Sequence, residues 1–181
     1  TSARKLRSNK TMFLAVSVPH ADHPFFAQLM KNMSAEALKH QYKVIVFQTF
    51  YQKQNELKVL ELLKRKEVDG VILCSLENEW EDIKKYLKYG PVVLANEFHA
   101  KAEVPVICYD EFEAGYKGTE LGYDNQSICE VTDPEITTID IPVEELAQKA
   151  VCAMVSILNG KSDLQREVVT LSPALKIRQS V

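Results

Sequence analysis

Apolar positions along the chain follow two rhythms that take turns. Met12-Phe13-Leu14-Ala15-Val16-Ser17-Val18 is an apolar run that predicts a strand. A polar turn, Pro19-His20-Ala21-Asp22-His23-Pro24, comes next. In Phe25-Phe26-Ala27-Gln28-Leu29-Met30-Lys31-Asn32-Met33 the apolar residues recur at helical spacing. Strand, loop and helix in this order make the opening unit of an open α/β sheet.

The alternation continues. Residues 43–47 (Val44-Ile45-Val46-Phe47) predict a second strand. Residues 52–66 predict a helix with Leu57, Leu60, Leu62 and Leu63 inside and Lys, Glu and Gln outside. Val68-Asp69-Gly70 turns into a third strand, Val71-Ile72-Leu73-Cys74, whose near-continuous apolar run suits a strand covered on both faces. A shorter helix over 78–88 directs Trp80, Ile83 and Leu87 inward and stops at Gly90-Pro91. Val92-Val93-Leu94-Ala95 and residues 104–109 predict the fourth and fifth strands, and Phe112 begins a helix containing Ala114, Gly115 and Gly118. This pattern predicts an α/β fold, a doubly wound and mostly parallel sheet with helices on both faces.

After residue 120 the rhythm breaks. Gly122 cuts the helix after about two turns, and Thr132-Asp133-Pro134 is a turn. Residues 136–141 predict a strand, with Pro142 at a helix start. Residues 143–158 form an amphipathic helix with a stripe of Leu146, Ala150, Ala153, Met154, Ile157 and Leu158, closed by Asn159-Gly160. Residues 168–171 predict a last strand, and 172–181 an extended tail.

Composition narrows the function. The 181 residues are 46% hydrophobic and 26% charged, with a formal net charge of −3, which does not mark the chain as a whole as a nucleic-acid binder. It shows no apolar run of bilayer length and no secretion signal, so a cytoplasmic location is expected, with no membrane partner. Cys74, Cys108, Cys129 and Cys152 lack metal-type spacing, and Cys74 and Cys108 fall in apolar strand patterns as buried thiols. His20, Asp22 and His23 share one loop, and cleft lining or simple exposure suits them better than a metal site. Glu144-Glu145 suit the positive end of a helix dipole. With no Ser/His/Asp or Cys/His arrangement, P-loop or GxGxxG, the sequence predicts neither an enzyme nor a cofactor. Ligands of open α/β sheets bind at the carboxyl ends of the strands, so Phe25 and Phe26 are candidate aromatic faces for a small molecule, with core packing as the alternative. Arg4, Lys5, Arg7 and Lys10 around Leu6 read as a solvated tail or as the end of a DNA-contacting segment.

Taken together, Ala3-Arg4-Lys5-Leu6-Arg7-Ser8, Pro24-Phe25-Phe26, Glu56-Leu57 through Val68-Asp69-Gly70-Val71-Ile72, Tyr109-Asp110-Glu111 with Ala114-Gly115-Tyr116, Gly122-Tyr123-Asp124-Asn125 and Pro134-Glu135-Ile136-Thr137-Thr138-Ile139 resemble, in that order, the effector-binding core of a LacI/GalR-type transcriptional regulator. The resemblance runs over nearly the whole chain. It implies a periplasmic-binding-protein-like fold of two α/β lobes, each flavodoxin-like, with effector in the cleft between them. It implies effector contacts from Phe25, Phe26, Asp110 and Asp124, and more weakly Asn96. The effector would be a sugar, a sugar phosphate or a purine, whose hydroxyls or amines a carboxylate accepts. It gives Leu6 the role of an apolar wedge in the operator minor groove, with Arg4 and Lys5 reaching phosphates. A homodimer through the N-terminal lobe, with residues 27–40 in its interface, is also implied, as is operator DNA bound by the full-length protein.

Two departures follow from the same comparison. The helix-turn-helix reader of operator bases is absent, so residues 1–10 read as the end of the hinge. The second lobe is missing between 120 and 122, which leaves 11–120 and 122–160 as the N-terminal lobe and 161–181 as a C-terminal strand and tail. Of these residues only the crossover and the strand at 168–171 would touch the second lobe. The join is either a true deletion or a removed stretch, and the absence of a capping residue before it favours the second. Glu111 also stands where the family often carries Asn. A sugar-binding protein of a transport system and an enzyme on a flavodoxin-like fold are the alternatives. The basic hinge-like start and the missing phosphate-binding glycines argue against them.

Overall fold

The computed structural model describes residues 9–110, 131, 137–161 and 166–179. The elements alternate as expected: β1 (Phe13–Val18), α1 (Pro24–Lys39), β2 (Lys43–Gln48), α2 (Lys53–Lys64), β3 (Gly70–Leu73), α3 (Trp80–Lys84), β4 (Val92–Ala95) and β5 (Val106–Tyr109). Then come β6 (Thr138–Asp140), α4 (Val143–Leu158), β7 (Val168–Leu171) and β8 (Ala174–Lys176). The expected helix from Phe112 lies outside the described residues.

Six strands form one sheet in the order β2-β1-β3-β4-β5-β7, and every pairing in it is parallel. The pleat sorts side chains between two cores. Val16, Ile72, Val93 and Ile107 face Leu29, Met33, Ala150 and Met154 of α1 and α4. Ala15, Val71, Leu73 and Leu94 face Val59, Leu60, Leu63, Trp80 and Ile83 of α2 and α3. Each fully buried Leu or Val contributes roughly 1.5–3 kcal/mol, which is why a sheet covered on both faces reads as unbroken apolar runs. Gly70 is set by close approach, because a Cβ there would overlap the side chain of Met154 on α4.

Three expectations need correction. Glu56, expected on the outer side of its helix, is fully buried, and Leu57 and Leu62 are only partly covered while Val59 is buried instead. The helix expected over 78–88 is five residues of α3 and a separate 3-10 turn, Leu87–Tyr89, which lets the Tyr86 hydroxyl donate to Glu61 Oε1 at 2.9 Å. The tail is not merely extended: β8 pairs antiparallel with β6, and Lys176 meets Asp140 at 3.1 Å. The strand expected at 168–171 forms and pairs with β5 from Val106↔Val168 to Tyr109↔Leu171, at the end of this sheet.

One polar knot fixes where the sheet begins. The Asp69 carboxylate accepts from the Thr11 amide (2.7 Å), the Thr11 hydroxyl (2.9 Å) and the Met12 amide (2.9 Å). Met12 sits at φ 63°, a left-handed conformation that a bulky residue adopts only when its surroundings impose it.

Candidate functional site

All six strands of the sheet end on one edge, and the strand order reverses between β1 and β3. That switch point is where an open α/β sheet leaves a crevice. The segments at this edge are 19–23 after β1, 49–52 after β2, 74–79 after β3, 96–105 after β4, and Asp110 after β5.

Asn96 follows β4 directly, at φ 80°, a conformation that Asn tolerates better than most residues. Its amide donates to Ile107 O at 2.8 Å, and its side-chain Nδ2 donates to Cys74 O at 3.3 Å. These bonds fix the side chain, while Oδ1 is buried and finds no partner among the described residues. Asp110 follows β5, its amide donating to Leu171 O at 3.0 Å. Asn96, Glu97, Phe98, Cys108, Tyr109, Asp110 and Thr170 line an open depression of about 370 Å³. The fold thus brings Asn96 and Asp110 together, although the sequence separates them. Asp124 lies outside the described residues, as do Arg4, Lys5 and Leu6.

Phe25 and Phe26 occupy the first turn of α1, below this edge. His23 caps the helix with Nδ1, which accepts the Phe25 amide at 3.3 Å, and Pro24 opens it. Both rings belong to the apolar core, 7% and 9% exposed, edge to face at 5.2 Å, with Phe25 6.4 Å from the Tyr109 ring. They support the floor of the edge and leave little ring face open.

Aromatic faces that are open come from residues the sequence did not single out. Phe50 and Tyr51, after β2, are half or more exposed, and each sits 5.5 Å from the His20 ring. Both carry positive φ, 53° and 56°, and consecutive left-handed aromatics are strained. They fall at a strand end without a Gly or Asn to mark the turn, so no local signal announces them. Nearby, Thr49 and Ser75 donate to Glu77 Oε1 at 3.3 and 2.8 Å. Glu56 holds that segment from below: its carboxylate accepts the amides of Glu77 (3.0 Å) and Asn78 (2.9 Å) and the Asn78 side-chain amide (2.6 Å). Burial raises the Glu56 pKa above the ordinary carboxylate value, against the pull of these hydrogen bonds. Cys74 and Cys108 are buried thiols as expected, and burial pushes the Cys74 pKa far up. Among the described residues no helix is long and apolar enough to cross a membrane.

Known proteins share this architecture. The family model described as "Periplasmic binding proteins and sugar binding domain of LacI family" matches residues 11–127, and a "Periplasmic binding protein-like domain" model matches 121–181. The NTD biosynthesis operon regulator NtdR of Bacillus subtilis is 37% identical over an alignment of 278 residues, covering 98% of this chain and 84% of that protein. The alignment is much longer than the 181-residue chain. Catabolite control protein B of the same organism is 29% identical over 90% of this chain, which spans 54% of that protein. Among solved structures, transcription regulator CcpA of Lactococcus lactis superposes with a TM-score of 0.77 at 17% identity, over 94% of this chain and 99% of the other. A LacI family transcriptional regulator from Enterococcus faecalis with bound ribose gives 0.75 at 18%, over 92% and 97%. Of these proteins, one is named as an operon regulator and two as transcriptional regulators. From the alternation of its strands to the two family models that meet near residue 121, the chain belongs to the LacI family of transcriptional regulators, as their periplasmic-binding-protein-like effector-binding part.

Proposed function

We propose that this chain supplies one wall of an effector cleft for a small sugar-like metabolite, within a cytoplasmic, dimeric, DNA-binding regulator. The observation that carries the reading is the buried Oδ1 of Asn96, unpartnered among the described residues, beside Asp110 at the carboxyl edge of β4 and β5. A fixed carbonyl oxygen and a carboxylate suit ligand hydroxyls, because both accept and a sugar donates. The ribose held by a protein of the same fold supports the sugar class over a purine or sugar phosphate.

In this reading Asp124 adds a second carboxylate from the crossover, while Phe25 and Phe26 form the apolar floor. The second wall belongs to the lobe interrupted between 120 and 122. The overlap of the two family models at 121–127 supports that boundary. With one wall the chain binds effector weakly. With both, effector changes the angle between lobes and so shifts a two-state equilibrium that orders or releases the hinge on DNA. Residues 27–40 contribute to the dimer surface, and Leu6, with Arg4 and Lys5, forms the minor-groove end of the hinge.

The test is a titration of the isotopically labelled chain, followed by amide resonances, with ribose, sucrose, glucose 6-phosphate and adenosine as probes. One of the saccharides is expected to shift the amides of 96–98 and 109–110. Asn96→Ala is expected to weaken that ligand by about tenfold, the cost of about one hydrogen bond. Shifts confined to other faces of the fold, or none with any probe, would refute the assignment. In the intact regulator, Asp124→Ala is expected to abolish effector binding with the dimer unchanged by sedimentation. Unchanged affinity removes Asp124 from the site.

A further inference from the structure

The packing of α1 on α4 assembles three potential metal ligands that the sequence keeps 116 residues apart. Glu36 and His40 stand one helical turn apart at the C-terminal end of α1, and Cys152 comes from the middle of α4. Glu36 Oε1 is the common point: His40 Nε2 lies 3.3 Å from it, and the Cys152 thiol donates to it at 3.6 Å. All three ligand atoms lie within 4.8 Å of one another. A tetrahedral ion with bonds of about 2.0 Å to oxygen, 2.0–2.1 Å to nitrogen and 2.3 Å to sulfur separates O from N by about 3.3 Å and O from S by about 3.5 Å. Two edges of that tetrahedron are already in place.

We propose that Glu36, His40 and Cys152 form a three-ligand site for a divalent ion of the zinc class, with water as the fourth ligand. The donor set of one thiolate, one imidazole and one carboxylate selects such an ion over calcium or magnesium. Glu36 is buried, 8% exposed, while His40 and Cys152 reach the surface, so the site has a fixed base and an open mouth. Its two oxygens divide the work: Oε2 keeps the Lys39 ammonium at 2.7 Å, and Oε1 is directed to the other two ligands. Among the charged groups around the cluster, Lys149 is paired with Glu145 at 3.6 Å and Lys39 with Glu36. The negative end of the α1 dipole falls at the same place and favours a cation. On binding, the ion replaces the thiol proton. Cys152–S–H becomes a thiolate–metal bond, one proton leaves to solvent, and His40 binds as the neutral imidazole. The ion then staples the last turn of α1 to α4. This site lies apart from the effector cleft, and Glu36 and His40 belong to the 27–40 segment proposed above for the dimer surface.

The test is a Co²⁺ titration of the reduced full chain, read by absorption and by proton release, with Zn²⁺ added afterwards as competitor. One equivalent of Co²⁺ is expected to give a thiolate-to-cobalt charge-transfer band with tetrahedral d–d bands, release about one proton and yield to Zn²⁺. Cys152→Ser is expected to lose the charge-transfer band with an unchanged far-ultraviolet dichroism spectrum. His40→Gln, at an exposed helix end, is expected to bind Co²⁺ more than about tenfold more weakly. No thiolate band at one equivalent overturns the proposal. So does an undiminished band in Cys152→Ser or unaltered affinity in His40→Gln.

Discussion

Replacing Glu56 by Gln tests whether a buried carboxylate organises the edge where the effector would sit. The side chain is fully buried and accepts three N–H groups, one on Oε1 and two on Oε2. Gln keeps the shape but turns one acceptor into an NH2 group that faces an amide donor. The loss is a charge-assisted bond, worth about 1.5–3 kcal/mol, together with at least one N–H left unpaired. Relief from burying an ionised group offsets part of this, so the expected net destabilisation at neutral pH is about 2 kcal/mol. The pH dependence carries a sign. Burial raises the folded pKa of Glu56, so its titration stabilises the native state most below the unfolded value, and that contribution fades as pH rises through the folded one. Gln does not titrate, so the stability gap between wild type and variant should widen on acidification. Urea unfolding at several pH values, with matched slopes, measures the gap. Equal stability at neutral pH, or a gap that narrows as pH falls, would refute the reasoning. Amide exchange of residues 77 and 78 should speed up in the variant, because their acceptor is what holds the segment.

Other perturbations probe the scaffold. Gly70→Ala should cost about 1–3 kcal/mol, since the added methyl overlaps Met154, and adding Met154→Ala should cost less than the two changes summed, as a double-mutant cycle in denaturant will show. Asp69→Ala removes the acceptor of three hydrogen bonds and frees Met12 from its left-handed conformation. About 2 kcal/mol of destabilisation and faster exchange at the start of β1 are expected by hydrogen-exchange NMR. Leu29→Ala, fully buried between α1 and the sheet, should cost about 2–5 kcal/mol and lower Tm by calorimetry.

What the sequence discloses depends on whether a feature is local. Residues 143–158 and 168–171 form the elements expected of them, because an amphipathic stripe and a short β-branched run are each complete signals within a few residues. The doubly wound sheet is equally legible, since burial on both faces writes itself as unbroken apolar runs. Glu56 is hidden because a buried carboxylate is explained only by partners 21 and 22 residues away, and helical spacing alone sends a Glu outward. β8 is hidden for a similar reason: three residues cannot display a period of two, and its partner β6 lies 36 positions earlier, with Lys176 opposite Thr138 and reaching Asp140 only after folding. The candidate site divides along the same line. Asn96 and Asp110 follow strands whose ends are predictable, so their meeting at one edge is inferable from topology. The aromatic group of His20, Phe50 and Tyr51 depends on two left-handed residues that no turn signal marks. The cluster of Glu36, His40 and Cys152 depends on the register of α1 against α4, and Cys152, one of four cysteines without metal-type spacing, becomes a potential ligand only through that packing. Chemistry carried by a strand end can therefore be read in advance, whereas chemistry created by one helix lying on another waits for the fold.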